Sequence, residues 1–200
     1  MQDSFQIRIA TVDDAPEILN IYKGYVEGTA ATFEHTVPTL AMMREMIETT
    51  LKGFPFLVAE RVALASELQD DRPAKKIIGY SYAGSFRKRE SYVWSVECSI
   101  YVSQDERESG VGRALYSALE HALREMGILN LYACVAFADE PDEHLTDASI
   151  RFHEKMGFSE IGRFPKCGSK FGKWYGILWM GKTIGEHATN HPAPRAFSEL

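Results

Sequence analysis

The stretch SYVWSVECSIYVSQDERESGVGRAL, residues 91–115, decides how this chain reads. In its first half Tyr92, Trp94, Val96, Cys98, Ile100 and Val102 share one face of an extended segment from Ser91 to Val102, and Val93, Ser95, Glu97, Ser99 and Tyr101 share the other. Glu97 thus lies opposite the most apolar face, where a strand carboxylate taken alone is ordinarily solvated or ion-paired. The second half carries Gly110 and Gly112, then a helix with Leu115, Ala118, Leu119, Ala122 and Met126 on one side. Strand, glycine-bearing turn and helix start together present backbone N–H groups and the positive end of a helix dipole, which suits a pyrophosphate. Glycine lets that backbone come close. Two glycines also describe a plain strand-to-helix turn, so the spacing alone leaves both readings open.

Upstream, QIRIAT (6–11) is a short strand, Thr11 to Asp14 fits a capping box, and Ala15, Ile18, Leu19, Tyr22 and Val26 follow at helical spacing. After Pro38-Thr39 a second helix carries Leu40, Met43, Met46, Ile47 and Leu51 and ends at Gly53, before the strand FPFLVAE. Residues 61–75 read as an extended hairpin connection into the strand KIIGYSYA. Downstream come the strand NLYACVAF, an acidic loop, and a helix from about Asp147 to Met156 stopped by Gly157. Two closing strands are expected around Phe158–Phe164 and Trp174–Lys182. The order predicts one α/β (α+β) domain over residues 1–182, a mixed, mostly antiparallel sheet of six or seven strands flanked by about four helices. Residues 183–200 carry no periodicity and form a tail open to poor order.

The composition narrows the function. With 200 residues, 45% hydrophobic and 25% charged, the chain can bury one substantial core. A net charge of −6 argues against a nucleic-acid surface. No run approaches the roughly 18 apolar residues of a membrane helix, and MQDSFQIRIA lacks the order of a signal peptide. A cytoplasmic protein with a small-molecule partner, no nucleic acid and no membrane is expected. Cys98, Cys134 and Cys167 are odd in number and lack CxxC spacing, so they read as structural thiols, with neither a disulfide nor a metal site.

Four blocks in order resemble the GNAT superfamily of N-acetyltransferases: VWSVECSIYV, the R-x-x-G-x-G turn Arg107–Gly112, SIRFHEKMGF and CGSKFGKWYGILWM. Within it they are most similar to the phosphinothricin-acetyltransferase-like branch, which acetylates the amino group of small amino-acid-like molecules. The resemblance runs from about Ile7 to Lys182, outside the 61–75 insert and the tail. It implies the GNAT fold, with the sheet splayed between the strand ending at Val102 and NLYACVAF and acetyl-CoA entering that gap as co-substrate. It also implies a homodimer with the closing strands and the CGSKFGKW turn near the interface. The implied acetyl-CoA contacts are Ile100, Tyr101 and Val102 for the pantetheine arm and the acetyl carbonyl, the turn Arg107, Glu108, Ser109, Gly110, Val111, Gly112 and Arg113, and Thr146 and Ser149. Glu108 and Ser109 stand where the family usually has Gly and a basic or polar residue, and Thr146 where relatives often have Asn.

The same resemblance makes Glu97 the general base that, usually through water, takes a proton from the substrate ammonium. Such a base is needed, because an amine with a pKa near 10 is mostly protonated at neutral pH and cannot attack a thioester. His153 stands where many of these enzymes have a tyrosine that protonates the departing thiolate. A histidine near Ala148, Phe152 and Met156 is as readily a hydrogen-bonded packing residue, and the two readings stand even. On the acceptor side, Arg87 and Arg89 match the SPFRxR of relatives and would hold a carboxylate, with Tyr92 beside them. Phe33, in Thr32-Phe33-Glu34, matches a segment lining the acceptor pocket, and residues 170–174 close that pocket or a dimer edge, or are simply a hairpin turn. Gly176 replaces a common Asp. The expected function is acetyl transfer from acetyl-CoA to an acceptor of the phosphinothricin, methionine sulfone or methionine sulfoximine type, by direct attack in a ternary complex. The alternatives are a CoA-binding sensor without turnover and an acetyltransferase of a different amine or peptide.

Overall fold

The computed structural model describes residues 5–62, 75–106 and 109–200, and within them the apolar periodicities become the elements of one sheet and its covering helices. In chain order these are β1 (Phe5–Ile9), α1 (Ala15–Gly28), α2 (Leu40–Leu51), β2 (Phe56–Val62), β3 (Lys75–Ser85), β4 (Ser95–Val102), α3 (Val111–Met126), β5 (Asn130–Phe137), α4 (Ala148–Lys155), β6 (Ser159–Lys170) and β7 (Lys173–Thr183). The strands lie in the order β1-β2-β3-β4-β5-β7-β6, antiparallel except for β4 beside β5. Most of the hairpin connection expected at 61–75 (residues 63–74), together with Arg107 and Glu108, lies outside the described residues.

Local chemistry starts the first two helices. Thr11 N–H donates to Asp14 Oδ2 at 2.7 Å ahead of α1, and Thr39 Oγ1 accepts the Met42 N–H at 3.2 Å at the start of α2. Both helices lie on one face of the sheet, burying Ile18, Ile21, Met43 and Ile47 against Phe56, Val58 and Tyr80. The opposite face packs Val96, Cys98, Leu131, Val135 and Leu178 against Leu115, Leu119 and Leu123 of α3. The alternation of β4 is therefore read out as two different environments: Cys98 goes under α3, and Tyr101 joins the α1/α2 side. Close packing holds α3 in place, since a Cβ at Gly79 would already lie 3.1 Å from Leu115 Cδ1 and 3.2 Å from the Tyr101 carbonyl.

Two strand boundaries and one burial differ most from the sequence reading. The strand expected from Ser91 begins only at Ser95, because Tyr92 and Val93 donate locally to Arg89 and Glu90 in a 3₁₀ turn. The strand expected to end at Phe164 runs on to Lys170. A bulge between Phe164 and Gly168, with Lys166 at φ 51°, absorbs Pro165, which has no N–H to offer the ladder. The turn to β7 is then only Phe171-Gly172, at φ 52° and 73°, the two-residue hairpin geometry that favours glycine. Of the cysteines read as structural thiols, Cys98 is buried but Cys134 and Cys167 are exposed.

The aperiodic segment after Thr183 runs back over the molecule. Trp94 Nε1 donates to the Pro192 carbonyl at 2.8 Å, Arg195 N–H to Met126 O at 2.9 Å and Phe197 N–H to Gly53 O at 3.1 Å. Among the described residues no helix is long and apolar enough to cross a membrane.

Candidate active site

β4 and β5 pair only through Ser95–Glu97 and Asn130–Tyr132, and beyond Glu97 they part. The ladder determines what lines the opening. Ser95 O accepts from Phe86 N–H, and Ser103 N–H donates to Ile78 O, so odd-numbered residues spend their backbone groups on β3 and even-numbered ones turn toward β5. Ile100 therefore presents its N–H and C=O to the gap. Val102, which the sequence also assigned to the cofactor, has both groups engaged by Tyr25: the hydroxyl donates to Val102 O at 2.7 Å and accepts from Val102 N–H at 3.3 Å.

The gap leads to the start of α3. Gly110 sits at φ 87°, a left-handed conformation that costs glycine little, and turns the chain into the helix. Among the described residues no side chain caps this end, and the first backbone bond back to the turn is from Ala114 N–H to Gly110 O. The N–H groups of Val111, Gly112 and Arg113 therefore face outward with the positive end of the helix dipole, beside Ser109. α4 closes the other side, for a Cβ at Gly112 would lie 3.2 Å from Phe152. Thr146 and Ser149 stand at the head of α4, Thr146 exposed and accepting the Ala148 N–H at 3.3 Å. A slit between strands that ends on free N–H groups is shaped and charged for a thin ligand carrying a diphosphate.

Glu97 occupies the last rung before the split, between Gly84 on β3 and Tyr132 on β5. Its carboxylate is partly exposed and accepts no hydrogen bond among the described residues. Space is open beside it, since a Cβ at Gly84 would meet nothing within 4 Å. Burial pushes its pKa above the usual 4.5, and the Arg87 guanidinium works against that rise. Arg87 is held by stacking, 4.2 Å over Phe86 and 5.6 Å from Trp179, in a frame closed by the Phe86–Tyr132 contact at 4.4 Å.

The structure separates other residues that the sequence grouped together. Arg87, whose charge acts on Glu97, also lines with Arg89 and Tyr92 a hollow of about 380 Å³, between the 3₁₀ turn, Met126 and the C-terminal segment. Phe33 packs toward Tyr175, with ring centroids 6.5 Å apart, and lies over Gly168. His153 is 4% exposed inside the α3–α4 packing. Its Nε2 lies 3.0 Å from the Tyr116 hydroxyl and its Nδ1 2.8 Å from Ser149 O, with Tyr116, Phe152 and Phe158 edge-on around the ring. Burial lowers its pKa from 6.5. Gly176, where Asp is common, sits beneath Phe137: a Cβ there would lie 2.4 Å from that ring and 2.8 Å from Phe164 O, so a larger residue has no room.

The sequence placed Lys170 in the 170–174 turn at the pocket or a dimer edge but did not foresee its burial. Its ammonium is buried and donates to the carbonyls of Thr29 and Thr32, both at 2.8 Å, tying the loop that carries Phe33 and Glu34 to the β6–β7 hairpin. Burial lowers its pKa below 10.5, and Glu34 works to raise it. A lysine ending a strand carries no one-dimensional mark of burial.

A family model described as an acetyltransferase (GNAT) domain matches residues 7–179. The L-methionine sulfoximine/L-methionine sulfone acetyltransferase of Pseudomonas aeruginosa is 33% identical over 178 residues, 88% of this chain and 93% of that protein. The phosphinothricin N-acetyltransferase of Streptomyces coelicolor is 29% identical over 179 residues, covering 90% and 96%. Among solved structures, a GNAT superfamily phosphinothricin acetyltransferase from Sinorhizobium meliloti in complex with AcCoA matches with a TM-score of 0.78 at 31% identity, over 98% of this chain and 94% of that one.

Proposed function

The chain belongs to the acetyltransferase (GNAT) family and is an acetyl-CoA-dependent N-acetyltransferase, and from that premise we propose that Glu97 takes the proton from a small amino-acid-like acceptor whose amine then attacks the acetyl thioester directly. Acceptors of the phosphinothricin, methionine sulfone and methionine sulfoximine type are those named for its relatives. The observation that carries the reading is a partly buried carboxylate with no hydrogen-bond partner among the described residues, placed at the rung where the two parallel strands separate. Asp142, by contrast, is saturated: it accepts from two backbone N–H groups, Lys173 Nζ and the Tyr175 hydroxyl. Glu97 keeps its lone pairs for a ligand or a water.

Burial, which raises its pKa against the pull of the Arg87 guanidinium, makes Glu97 a stronger base than a solvated carboxylate. With the amine deprotonated, attack pushes negative charge onto the carbonyl oxygen, for which the Ile100 N–H is available in the gap. A thiol with a pKa near 8.5 is a fair leaving group, so the scheme has no need of an acid at His153, whose nitrogens are both engaged. The N–H groups of Val111, Gly112 and Arg113 hold the diphosphate of the co-substrate, and Arg87 pairs with the acceptor carboxylate. The chain acts as a homodimer in this reading, supported by the β6 edge, where Ile161, Phe164 and, on β7, Trp174 expose apolar surface. A monomer at micromolar concentration in light scattering would remove the dimer.

Thiol release from acetyl-CoA, measured across phosphinothricin, methionine sulfone, methionine sulfoximine, ordinary amino acids and a peptide, tests the whole. Turnover confined to free amino-acid-like acceptors is expected. Turnover on none of them would leave a CoA-binding module without catalysis.

A further inference from the structure

An ion pair that the chemistry above does not use holds the turn between β4 and α3. Glu106 is 8% exposed, and its two carboxylate oxygens accept from Arg61 Nη1 and Nη2, both at 2.6 Å. From Gln104 to Gly110 Glu106 is the one buried residue among those described, and Ser109 and Gly110 are exposed. We propose that Arg61 and Glu106 are positioning residues for the acetyl-CoA diphosphate, fixing this turn so that the N–H groups at the start of α3 meet the ligand already in place. The inference rests on the reading that those N–H groups hold the diphosphate.

Geometry supplies the anchor. Arg61 is paired on both sides, with Phe5 on β1 and Lys76 on β3, so its backbone is a fixed base. A guanidinium fork on a carboxylate sets orientation as well as distance. What it fixes passes along the backbone. Ser103 N–H donates to Ile78 O and Glu106 N–H to Ser103 O, both at 2.9 Å, and the Glu106 carbonyl accepts from Ser109 Oγ at 2.6 Å and Ser109 N–H at 3.4 Å. Ser109 leads directly into Gly110 and the open end of α3. Val111 and Leu115 hold the helix to the core; Glu106 does the same for the turn before it.

Charge explains why the anchor is a pair. A buried carboxylate beside a diphosphate site repels the ligand unless a cation cancels it, and Arg61 supplies that cation. An apolar side chain would bury as well but would leave the rotation of the turn unset. Holding free N–H groups in the bound geometry lowers the ordering cost of binding.

CoA affinity, measured by calorimetry on the full chain, tests this without an acceptor. Arg61→Met/Glu106→Met should keep a near-native urea midpoint, because replacing both members of a buried pair by apolar groups is often neutral, and yet bind CoA about tenfold more weakly. Arg61→Met alone leaves the carboxylate uncompensated and should lose more; Arg61→Lys, which keeps the charge without the fork and is usable if the methionine variant does not fold, should lose less. In thiol-release kinetics the acetyl-CoA KM should rise while the acceptor KM stays put. Native CoA affinity in the folded double variant, or an equal rise in both KM values, overturns the inference. Arg113→Asp tests the reading beneath it, since a carboxylate in the first turn of α3 suits the helix dipole but repels a diphosphate and should weaken CoA by about tenfold or more. Weakening in Arg113→Asp without weakening in the double variant removes the positioning role alone; no weakening in Arg113→Asp removes the diphosphate assignment itself.

Discussion

Glu97 and His153 lie on opposite faces of one sheet, and their surroundings are opposites too. Glu97 is at the mouth of the β4–β5 split with open space above Gly84 and no hydrogen-bond partner among the described residues. His153 is enclosed between α3 and α4 with one nitrogen on Tyr116 and the other on Ser149. Burial moves both pKa values toward the neutral form, up for the acid and down for the imidazole, so the shifts alone do not tell them apart. Availability does. A group that must exchange a proton with substrate needs an unfilled coordination position, and a group that holds two helices together is worth most when it has none.

Removing each side chain should separate the roles. Glu97→Gln is expected to keep the fold and nearly the native CoA affinity while lowering kcat by roughly 10²- to 10⁴-fold, the contribution of positioned acid–base catalysis. The deficit should shrink in alkaline buffer, where more of the acceptor amine is already deprotonated. Native rate in the Gln variant across neutral pH would return Glu97 to the ranks of ordinary strand carboxylates.

His153→Phe should do the reverse. It leaves the buried Tyr116 hydroxyl and the Ser149 carbonyl without their partner, at a cost of about 1–3 kcal/mol in urea unfolding, while kcat of the folded fraction falls less than about tenfold. Adding Tyr116→Phe should recover part of the stability, since replacing both partners by apolar groups removes the unmet hydroxyl. A large kcat loss in a stable His153 variant would restore it as an acid.

The pH dependence of stability carries opposite signs at the two sites. The folded pKa of His153 lies below 6.5, so the unfolded chain takes up its proton first on acidification; the stability this ring contributes is present above pH 6.5 and lost as pH falls. The folded pKa of Glu97 lies above 4.5, so its contribution is present below pH 4.5 and lost as pH rises through the folded value. Urea midpoints should accordingly show a flatter acid slope below pH 6.5 for His153→Phe and, at neutral pH, a Glu97→Gln protein at least as stable as the native one.

The smallest effect belongs to a residue that touches neither. Lys170→Met frees the Thr29 and Thr32 carbonyls and loosens the loop bearing Phe33 and Glu34. The KM for the acceptor should rise several-fold with the acetyl-CoA KM unmoved; equal changes in both would mean general destabilisation instead.

Much of this molecule was legible in one dimension. Alternation in residues 95–102 put Glu97 on the face away from Val96 and Cys98, the glycine turn announced the open start of α3, and the blocks around them located the split in the sheet. These are local properties, set by strand and helix periods and by the φ that Gly110 can adopt. What only the tertiary structure decided concerns partners far apart in the chain. Tyr116 meets His153 across 37 residues, and Lys170 meets Thr29 and Thr32 across 141 and 138. Arg87 acts on Glu97 while sharing with Arg89 and Tyr92 a hollow against the C-terminal segment, and Phe137 closes the space at Gly176. Periodicity tells which face a side chain takes; whether its hydrogen bonds are already spent depends on what the folded chain brings to that face.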